Sequence, residues 1–240
     1  MQPRFVGRLG VADAVTALNA ALGFCAVVAA TVDVGLAARV VLLAAIADAI
    51  DGLLARKWGG TAVGPHLDSL ADVASFSVAP AVIVFAAVRE VWGPLATLSL
   101  PQLAAVVGVP ALFVAAGVVR LALYTAFDSG NAHTYGVQTT LAGTVLAAGW
   151  LAGAGAIALL ATTAAFGYLM VTRVPYPDLK PAHALAMGAV QALAVLFPVF
   201  FHRLFPRVLL AFALLYLVLA PWVYPRDAAS GEPNHSAEAE

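Results

Sequence analysis

Long apolar runs separated by short polar segments dominate this sequence and restrict the folds open to it. Residues 101–125, for example, contain a single charged side chain, Arg120. About 20 apolar residues are enough for an α-helix to cross the hydrocarbon core of a bilayer. Because a backbone inside a bilayer must satisfy its own hydrogen bonds, repeated runs of this kind predict a bundle of membrane-spanning helices.

The composition agrees with a membrane protein. Hydrophobic residues make up 62% of the 240 residues and charged residues 10%, whereas soluble domains are about 45–50% apolar and about 25% charged. The formal net charge is −1, so we expect no basic surface for nucleic acid. We predict an all-α, polytopic membrane domain over residues 1–225 and a disordered polar tail over residues 226–240.

The apolar runs predict about eight transmembrane helices, at residues 11–31, 35–57, 66–89, 101–125, 137–152, 154–172, 182–202 and 207–224. As one helix, residues 137–172 would be about 54 Å long at 1.5 Å per residue, which exceeds a core of about 30 Å. Gly153-Ala154-Gly155 offers a turn, so we divide this segment into two short helices. Six or seven spans are the alternatives.

The positive charges predict an orientation. With the N-terminus inside and an even number of spans, eight of the twelve lysine and arginine residues fall on the cytoplasmic side: Arg4, Arg8, Arg56, Lys57, Arg120, Arg173, Lys180 and Arg226. Four fall within the spans or at their other ends: Arg39, Arg89, Arg203 and Arg207. This bias follows the positive-inside rule. We predict a multi-pass cell-membrane protein with both termini and the loop 58–65 in the cytoplasm.

Four aspartates are concentrated in two neighbouring spans. Asp48 and Asp51 share a face near the end of the second span, and Asp68 and Asp72 share a face at the start of the third. A short turn-rich loop joins the two spans, so an antiparallel hairpin brings the pairs to the same membrane depth. Ionised carboxylates in one dehydrated pocket repel by several kcal/mol per close pair at an effective dielectric of about 20. Protons or metal ions must therefore neutralise them.

The residue types restrict what these aspartates can do. Oxygen-only ligands favour hard cations, so a metal here would be Mg²⁺, Mn²⁺ or Ca²⁺. One alternative is an ion or proton transporter that uses the aspartates as a relay, and another is a set of helix-end charges that reach water. Transporters often carry paired broken helices in two symmetric halves. These aspartates lie in one hairpin, which favours a binding site.

The pattern around the aspartates resembles the signature of the CDP-alcohol phosphotransferase family. It runs Asp48-x-x-Asp51-Gly52-x-x-Ala55-Arg56 and then Gly64-x-x-x-Asp68-x-x-x-Asp72. Every fixed position of the signature is present. The resemblance implies a homodimeric membrane enzyme that transfers a lipid-linked phosphoryl group from a CDP-activated lipid to an alcohol, with release of CMP.

The resemblance also implies a role for each residue of the signature. Four carboxylates would serve two divalent metal ions, Mg²⁺ or Mn²⁺: Asp48, Asp51, Asp68 and Asp72. Three small residues would let the nucleotide approach the helix backbones: Gly52, Ala55 and Gly64. Asp72 would in addition act as the general base that takes the proton of the acceptor alcohol. Arg56 would pair with a phosphate of the CDP group.

The residues after the signature resemble the phosphatidylserine synthase type of this family. Residues 67–81 read LDSLADVASFSVAPA, which is similar to the block of the serine-type enzymes. Glycerol-phosphate-using members usually carry lysine after the last aspartate, where this chain has Val73. Thr16-x-x-Asn19-x-x-x-Gly23-Phe24 resembles the opening of the same synthases, and Asn19 would contact the nucleotide. These features imply L-serine as the acceptor, with inositol phosphate and glycerol phosphate as alternatives.

Two arginines are candidates for the acceptor or for a phosphate. Arg120 lies in a segment similar to the RLARF element of the serine-type synthases, with Leu123 and Thr125 as departures from it. Arg173 precedes a Tyr-Pro pair that also resembles the family. Arginine suits both ligands because it binds oxyanions with two parallel hydrogen bonds. The donor would be CDP-diacylglycerol, or CDP-archaeol if the excess of arginine over lysine and the acidic tail reflect an archaeal source.

Overall fold

The computed structural model describes residues 7–128, 133–177 and 181–223. Within these ranges the chain forms eight helices: α1 (Val11–Ala30), α2 (Val34–Trp58), α3 (Gly64–Trp92), α4 (Leu100–Asp128), α5 (Thr139–Ala152), α6 (Ala156–Leu169), α7 (Pro181–Leu196) and α8 (Phe200–Val223). Two short antiparallel strands are β1 (His133–Tyr135) and β2 (Pro175–Pro177). The predicted all-α membrane bundle is confirmed. The tail 226–240 lies outside the described residues.

Four helices in the described ranges are long and apolar enough to cross a membrane: Val11–Ala30, Gly64–Trp92, Leu100–Asp128 and Phe200–Ala220. Helices α5 and α6 have 14 residues each, which is about 21 Å at 1.5 Å per residue and less than a core of about 30 Å. Nine consecutive residues of α5, 141–149, are buried. This short helix is therefore an inner element of the bundle, and the number of spans stays a prediction.

The predicted division of residues 137–172 is confirmed. Gly153 ends α5 with a positive φ of 97°, and its N–H donates to the Trp150 carbonyl oxygen at 3.0 Å. The Ala154 N–H donates to the Gly149 carbonyl oxygen at 2.9 Å. Left-handed backbone at a helix end is favourable for glycine because it has no Cβ. The chain then reverses into α6.

The predicted boundary between the last two helices is wrong. The apolar run predicted one helix over 182–202, whereas α7 ends at Leu196 and α8 begins at Phe200. Pro198 explains the earlier end, because a proline disfavours helical backbone at the residue before it. The first turn of α8 is unusual, since Phe201, His202 and Arg203 have positive φ values of 44°, 58° and 63°.

Helix α2 lies at the centre of the bundle, where it packs against α1, α3, α5 and α7. Much of its buried surface is alanine, including Ala37, Ala38, Ala44 and Ala45. Small residues let helix backbones approach closely, which is how helices associate where lipid is the competing contact. This close packing holds the aspartate-bearing end of α2 against α1 and α3.

Helix α3 contains a π-helical segment, Val73–Val78, directly after Asp72. The Ala79 N–H donates to the Ala74 carbonyl oxygen, five residues back, in place of the α-helical partner. Pro80 accounts for the widening, because its ring would clash with the carbonyl four residues earlier and it has no N–H to donate. The segment turns Ser75 and Ser77 into the bundle, where both are buried.

Three helices approach the π-helical segment through glycine. A Cβ at Gly23 of α1 would lie 2.7 Å from Ser75 Oγ and 2.8 Å from the Ser75 backbone nitrogen. Gly117 of α4 contacts Ser77 in the same way, and a Cβ at Gly143 of α5 would lie 3.3 Å from the Phe76 backbone. The absence of side chains at these three positions therefore sets the distance between α3 and its neighbours.

Replacing Gly23 with alanine is expected to destabilise the bundle. The added Cβ meets backbone atoms that cannot move aside, and overpacking of this kind costs about 1–3 kcal/mol. The matched control is Gly188→Ala in α7, where a Cβ meets nothing within 4 Å. Alanine favours a helix interior over glycine by about 1 kcal/mol. Thermal unfolding of the purified protein in detergent should show a lower midpoint for Gly23→Ala alone, and equal midpoints would contradict the expected clash.

Candidate active site

The α2–α3 hairpin brings three of the four predicted aspartates into one cluster. One carboxylate oxygen from each of Asp48, Asp68 and Asp72 lies within 4.8 Å of the other two. Asp72 is buried at 7% exposure, and the other two are half-buried. Thr140 at the start of α5 lies beside the Asp48 carboxylate. The sequence prediction that the hairpin juxtaposes these side chains agrees with this arrangement.

Asp51 lies next to this cluster but outside it. Its side chain is buried at 5% exposure and lies beside Thr16 of α1. Its negative charge acts on Asp68 and Asp72 electrostatically, so the four carboxylates still share one electrostatic environment. A metal-binding role for Asp51 stays a prediction.

The aspartate site fits a hard divalent cation. Its donors are carboxylate oxygens, which Mg²⁺ and Mn²⁺ prefer. In the described part of the chain, Asp51 Oδ2 and Asp72 Oδ1 are buried without a hydrogen-bond partner. A buried oxygen that lacks a partner costs about 1–3 kcal/mol, and more when it is charged. A cation held by Asp48, Asp68 and Asp72 would remove that cost for Asp72 and reduce the mutual repulsion of the carboxylates.

Helix α1 adds an unpartnered amide beside the hairpin. Asn19 is fully buried, and neither its Oδ1 nor its Nδ2 has a partner among the described residues. Its backbone carbonyl accepts a hydrogen bond of 2.7 Å from Ser75 Oγ, which ties α1 to the π-helical segment of α3. A buried amide whose donor and acceptor are both free is typical of a ligand-binding position.

The small residues and the arginine of the signature lie at the end of α2 and the start of α3. Gly52, Ala55 and Gly64 are half-buried, and Arg56 is exposed. The Arg56 guanidinium lies over Gly52, where a Cβ would be 3.6 Å from its Nη1. Among the described residues, no carboxylate oxygen lies within 4.0 Å of this guanidinium. Arg56 is therefore available for an external anion.

Arg120, a candidate for binding the acceptor, interacts with both Asp72 and the strand pair. Arg120 is buried at 7% exposure on α4, and its charge attracts that of Asp72. Its Nη2 donates to Thr134 Oγ1 of β1 at 3.1 Å, while Nε has no partner in the described part of the chain. Its guanidinium carbon lies 5.5 Å from the centroid of the Tyr124 ring.

Residue Tyr176 holds the strand pair against the bundle. It pairs with Thr134 across the two strands, and its hydroxyl donates to the Leu217 carbonyl oxygen of α8 at 3.4 Å. Burial raises the pKa of the Tyr176 hydroxyl above its usual range, so the group stays a neutral donor. Tyr176 of the predicted Tyr-Pro element is therefore linked to Arg120 through Thr134 of β1. Arg173 is exposed in the turn before β2, and the described residues give it no ion pair within 4.0 Å.

Thr125, one of the two departures from the family pattern, makes a contact at the site. Ser69 Oγ and Thr125 Oγ1 are 2.5 Å apart, and Thr125 stands where the serine-type synthases usually have asparagine. Thr125 also donates to the Leu121 carbonyl oxygen at 2.9 Å. The Ser69 hydroxyl is then the donor to Thr125 when both bonds are made. This bond joins the start of α3 to the end of α4 beside the aspartates.

The sequence analysis missed a buried carboxylate in α1. Asp13 is 2% exposed, and its Oδ2 accepts hydrogen bonds from the Gly10 N–H at 2.7 Å and from Thr61 Oγ1 at 2.8 Å. Thr61 Oγ1 in turn accepts from the Gly64 N–H at 3.1 Å. Asp13 therefore fastens the hairpin loop to α1. The sequence did offer a signal for Asp13. It is an acidic residue three positions before Thr16, on the same face of α1 as Asn19, and acidic residues within apolar spans are usually functional.

Replacing Thr61 with valine is expected to weaken catalysis without removing any group from the aspartate cluster. The change deletes both bonds of the Thr61 hydroxyl, each worth about 1 kcal/mol. A loosened hairpin loop should lower kcat/KM about tenfold, which corresponds to about 1.4 kcal/mol. Thr31→Val is the matched control, since Thr31 Oγ1 donates to the Val28 carbonyl oxygen at 2.7 Å at the other end of α1. Equal kcat/KM values for both variants would contradict the role of the loop.

The fold and the site together identify the class of protein. A family model for CDP-alcohol phosphatidyltransferase matches residues 9–200, which is most of the chain. The chain therefore belongs to this family and is a membrane-bound transferase of phospholipid biosynthesis. It is also similar to the archaetidylserine synthase of Methanothermobacter thermautotrophicus (strain Delta H), with 27% identity over 194 residues that cover 77% of this chain and 74% of the relative. Membership of the family argues against the transporter alternative.

Proposed function

We propose that this enzyme transfers the lipid phosphoryl group of a CDP-activated lipid to the hydroxyl of L-serine, with release of CMP. The proposal rests on one observation above the others: a buried arginine, Arg120, with an unpartnered Nε beside Asp72. A guanidinium in this position can bind the carboxylate of an amino acid while the carboxylate of Asp72 takes the proton of its hydroxyl. The archaetidylserine synthase among its relatives supports the same acceptor.

The residue after Asp72 favours serine over acceptors that carry a phosphate. Glycerol phosphate and inositol phosphate bring more negative charge than a carboxylate, and a second cation would help to bind it. Val73 supplies no charge at this position. One guanidinium matches the single carboxylate of serine.

The reaction requires one bond to form and one to break at the lipid-linked phosphorus. The serine hydroxyl oxygen forms the new bond to phosphorus, and its proton passes to Asp72, whose Oδ1 is buried without a partner in the described part of the chain. The bond from this phosphorus to the oxygen shared with CMP breaks, and CMP leaves with that oxygen and the bonding electron pair. Arg56, whose guanidinium lies over Gly52, would neutralise a phosphate of the CDP group.

A divalent cation fits the same scheme. Held by Asp48, Asp68 and Asp72, and by Asp51 if a second ion is bound, Mg²⁺ or Mn²⁺ would neutralise the negative charge of the diphosphate during transfer. The unpartnered amide of Asn19 would form hydrogen bonds with the polar edge of the nucleotide. The half-buried Gly52, Ala55 and Gly64 would leave the nucleotide room at the ends of the two helices.

The experiment that tests the acceptor is a CMP-release assay on the purified protein. CDP-diacylglycerol and CDP-archaeol would each be supplied with Mg²⁺ or Mn²⁺ and with L-serine, inositol phosphate or glycerol phosphate in turn. We expect CMP release to depend on L-serine. Release that depends on another alcohol, or that is unchanged without serine, would overturn the proposed acceptor. The same assay distinguishes the two lipid donors.

An arginine variant sharpens this test. Arg120→Met should raise KM for serine while leaving the affinity for the CDP-activated lipid near that of the wild type, because the guanidinium would serve the acceptor. Arg89→Met is a matched control, since Arg89 is an exposed arginine at the other end of α3, with its guanidinium carbon 5.9 Å from the Phe85 ring centroid. An unchanged KM for serine in Arg120→Met would contradict the proposed role of Arg120 in binding the acceptor.

We further propose that the active site faces the cytoplasm and that the enzyme is a homodimer. The distribution of lysine and arginine supports the orientation, and the family resemblance supports the dimer. The single cysteine, Cys25, is exposed and can be replaced by serine. In that background, Ala62→Cys in the exposed hairpin loop should react with an impermeant maleimide only in inside-out vesicles. Reaction in right-side-out vesicles would reverse the orientation.

A further inference from the structure

A cavity lies at the end of the bundle opposite the aspartates. It has a volume of about 550 Å³, and its polar lining includes Asp33, Arg39, Trp150 and Arg203. Asp33 precedes the first residue of α2, 18 residues before Asp51. That separation is about 27 Å along the helix at 1.5 Å per residue. A molecule in this cavity therefore cannot be the diphosphate of a substrate bound at the aspartates.

Two arginines give the cavity a positive character. Arg39 uses its Nε to donate to the Val195 carbonyl oxygen at 2.7 Å, which leaves its terminal nitrogens for another partner. The Arg203 guanidinium lies over Gly153, where a Cβ would be 2.8 Å from its Nη1. Among the residues that the structure describes, no carboxylate oxygen lies within 4.0 Å of either guanidinium. Asp33 does line the cavity, but its Oδ1 accepts from the Gly35 and Leu36 N–H groups at 2.7 and 3.2 Å.

The N-terminus of α6 adds to the positive character of the cavity. Gly155 is the N-cap of this 14-residue helix and offers no side chain to its first N–H groups. Gly155 and Ala156 both line the cavity. The free N–H groups at a helix N-terminus carry partial positive charge and bind phosphate-like anions. The cavity therefore combines two guanidinium groups that have no ion pair among the described residues with a helix N-terminus that has no side-chain cap.

The backbone that carries Arg203 is held in an unfavourable conformation. Phe201, His202 and Arg203 all have positive φ, which non-glycine residues rarely adopt. Backbone strain of this kind clusters at ligand-binding positions. Here it brings Arg203 over Gly153 and leaves Phe200 and Phe201 exposed beside the cavity. An apolar surface next to a positive cavity suits a phosphate that is attached to a lipid.

We propose that this cavity binds one phosphate group, supplied by the headgroup of a membrane lipid or by free phosphate. The site is independent of the proposed transfer reaction, because it lies at the other end of α2. The phosphate oxygens would accept hydrogen bonds from Arg39, from Arg203 and from the first N–H groups of α6. An occupied site would link α2, α6 and the first turn of α8, so binding should raise the thermal stability of the protein.

Two probes distinguish the sources of the phosphate. Inorganic phosphate would be titrated into the purified protein in detergent at constant ionic strength, with the unfolding midpoint as the readout. Nanodiscs of phosphatidylglycerol or phosphatidylcholine would supply the lipid, and native mass spectrometry would count the lipid that remains bound. A response to inorganic phosphate supports a free anion, and retained phosphatidylglycerol supports a headgroup. Neither response in the wild type would overturn the site.

Arg203→Ala and Arg207→Ala form the matched pair for both probes. Arg207 is an exposed arginine one turn along α8 that does not line the cavity. We expect Arg203→Ala to weaken phosphate or lipid binding at least tenfold and Arg207→Ala to leave it unchanged. Phosphate bound at the aspartate site is common to both variants and cancels in the comparison. Equal binding by the two variants would overturn the proposal.

A gain-of-charge variant keeps the test decisive if Arg203→Ala folds poorly. A Cβ at Gly155 meets nothing within 4 Å, and its φ of −69° suits any residue. Gly155→Asp would cap α6 with a preferred N-cap residue and place a carboxylate in the cavity. We expect an unfolding midpoint equal to or above that of the wild type, together with loss of the response to phosphate or lipid. A Gly155→Asp protein that keeps the full response would also overturn the site.

Discussion

Asp72→Asn is expected to lower kcat for CMP release by about 100-fold to 10,000-fold, the range that general-base catalysis contributes. Asparagine keeps the shape of the side chain but cannot take a proton from the acceptor hydroxyl. Asp72 is buried, and its Oδ1 is free of hydrogen bonds among the described residues, so water cannot easily replace it as the base. The measurement is CMP release at saturating CDP-activated lipid and saturating acceptor.

The control for Asp72→Asn is Asp33→Asn at the other end of the bundle. Asp33 accepts from the first N–H groups of α2, and asparagine caps a helix as well as aspartate does. Asp33→Asn should therefore keep both its fold and its activity. Binding of the CDP-activated lipid by Asp72→Asn should stay near that of the wild type. An Asp72→Asn enzyme that kept more than a tenth of the wild-type kcat would show that Asp72 is not the general base.

Removal of divalent cations is expected to abolish CMP release, and Mg²⁺ or Mn²⁺ should restore it. The reason is electrostatic, since Asp48, Asp68 and Asp72 bring oxygens within 4.8 Å of one another and the substrate adds a diphosphate. Without a cation, like charges at this distance repel by several kcal/mol at an effective dielectric of about 20. The measurement is activity after chelation and dialysis, followed by titration with each cation.

Asp68→Asn should raise the metal concentration needed for half-maximal activity at least tenfold. Changes to groups that merely support metal ligands already cost about 10–100-fold in metal affinity, and we propose Asp68 as a ligand itself. The control is again Asp33→Asn, which alters an aspartate far from the cluster and should keep the wild-type metal requirement. Full activity in the chelated enzyme, or an unchanged metal requirement in Asp68→Asn, would contradict the cation site.

The aspartate hairpin could be predicted because its information is local. Asp48, Asp68 and Asp72 lie on two consecutive helices joined by a short loop, so helix periodicity alone brings them together. The division at Gly153 was predictable for a similar reason, since the alternative was a helix too long for the bilayer. The end of α7 was predicted wrongly because the apolar run continues past Pro198. The prediction followed the length of the run, whereas proline disfavours helical backbone at the residue before it.

Contacts between distant segments could not be predicted from spacing. Thr61 bonds Asp13 across 48 residues, and Ser69 bonds Thr125 across 56 residues. The strand pair that holds Arg120 joins segments on either side of α5 and α6. Such pairings depend on how helices turn about their axes when they pack, and a single sequence carries no direct record of that rotation. For the same reason, the cavity between Arg39 and Arg203 could not be predicted from the sequence.

The sequence by itself determined the class of fold, the hairpin and the oxygen-donor chemistry, because apolar run length and helix spacing are properties of neighbouring residues. The tertiary structure decided which three carboxylates cluster and that Asp51 lies just outside them. It also brought Arg120 to Asp72 and opened a positive cavity at the far end of α2. These outcomes depend on how the helices pack against one another, as where glycines of α1, α4 and α5 meet the π-helical segment of α3. That packing acts between helices rather than along them.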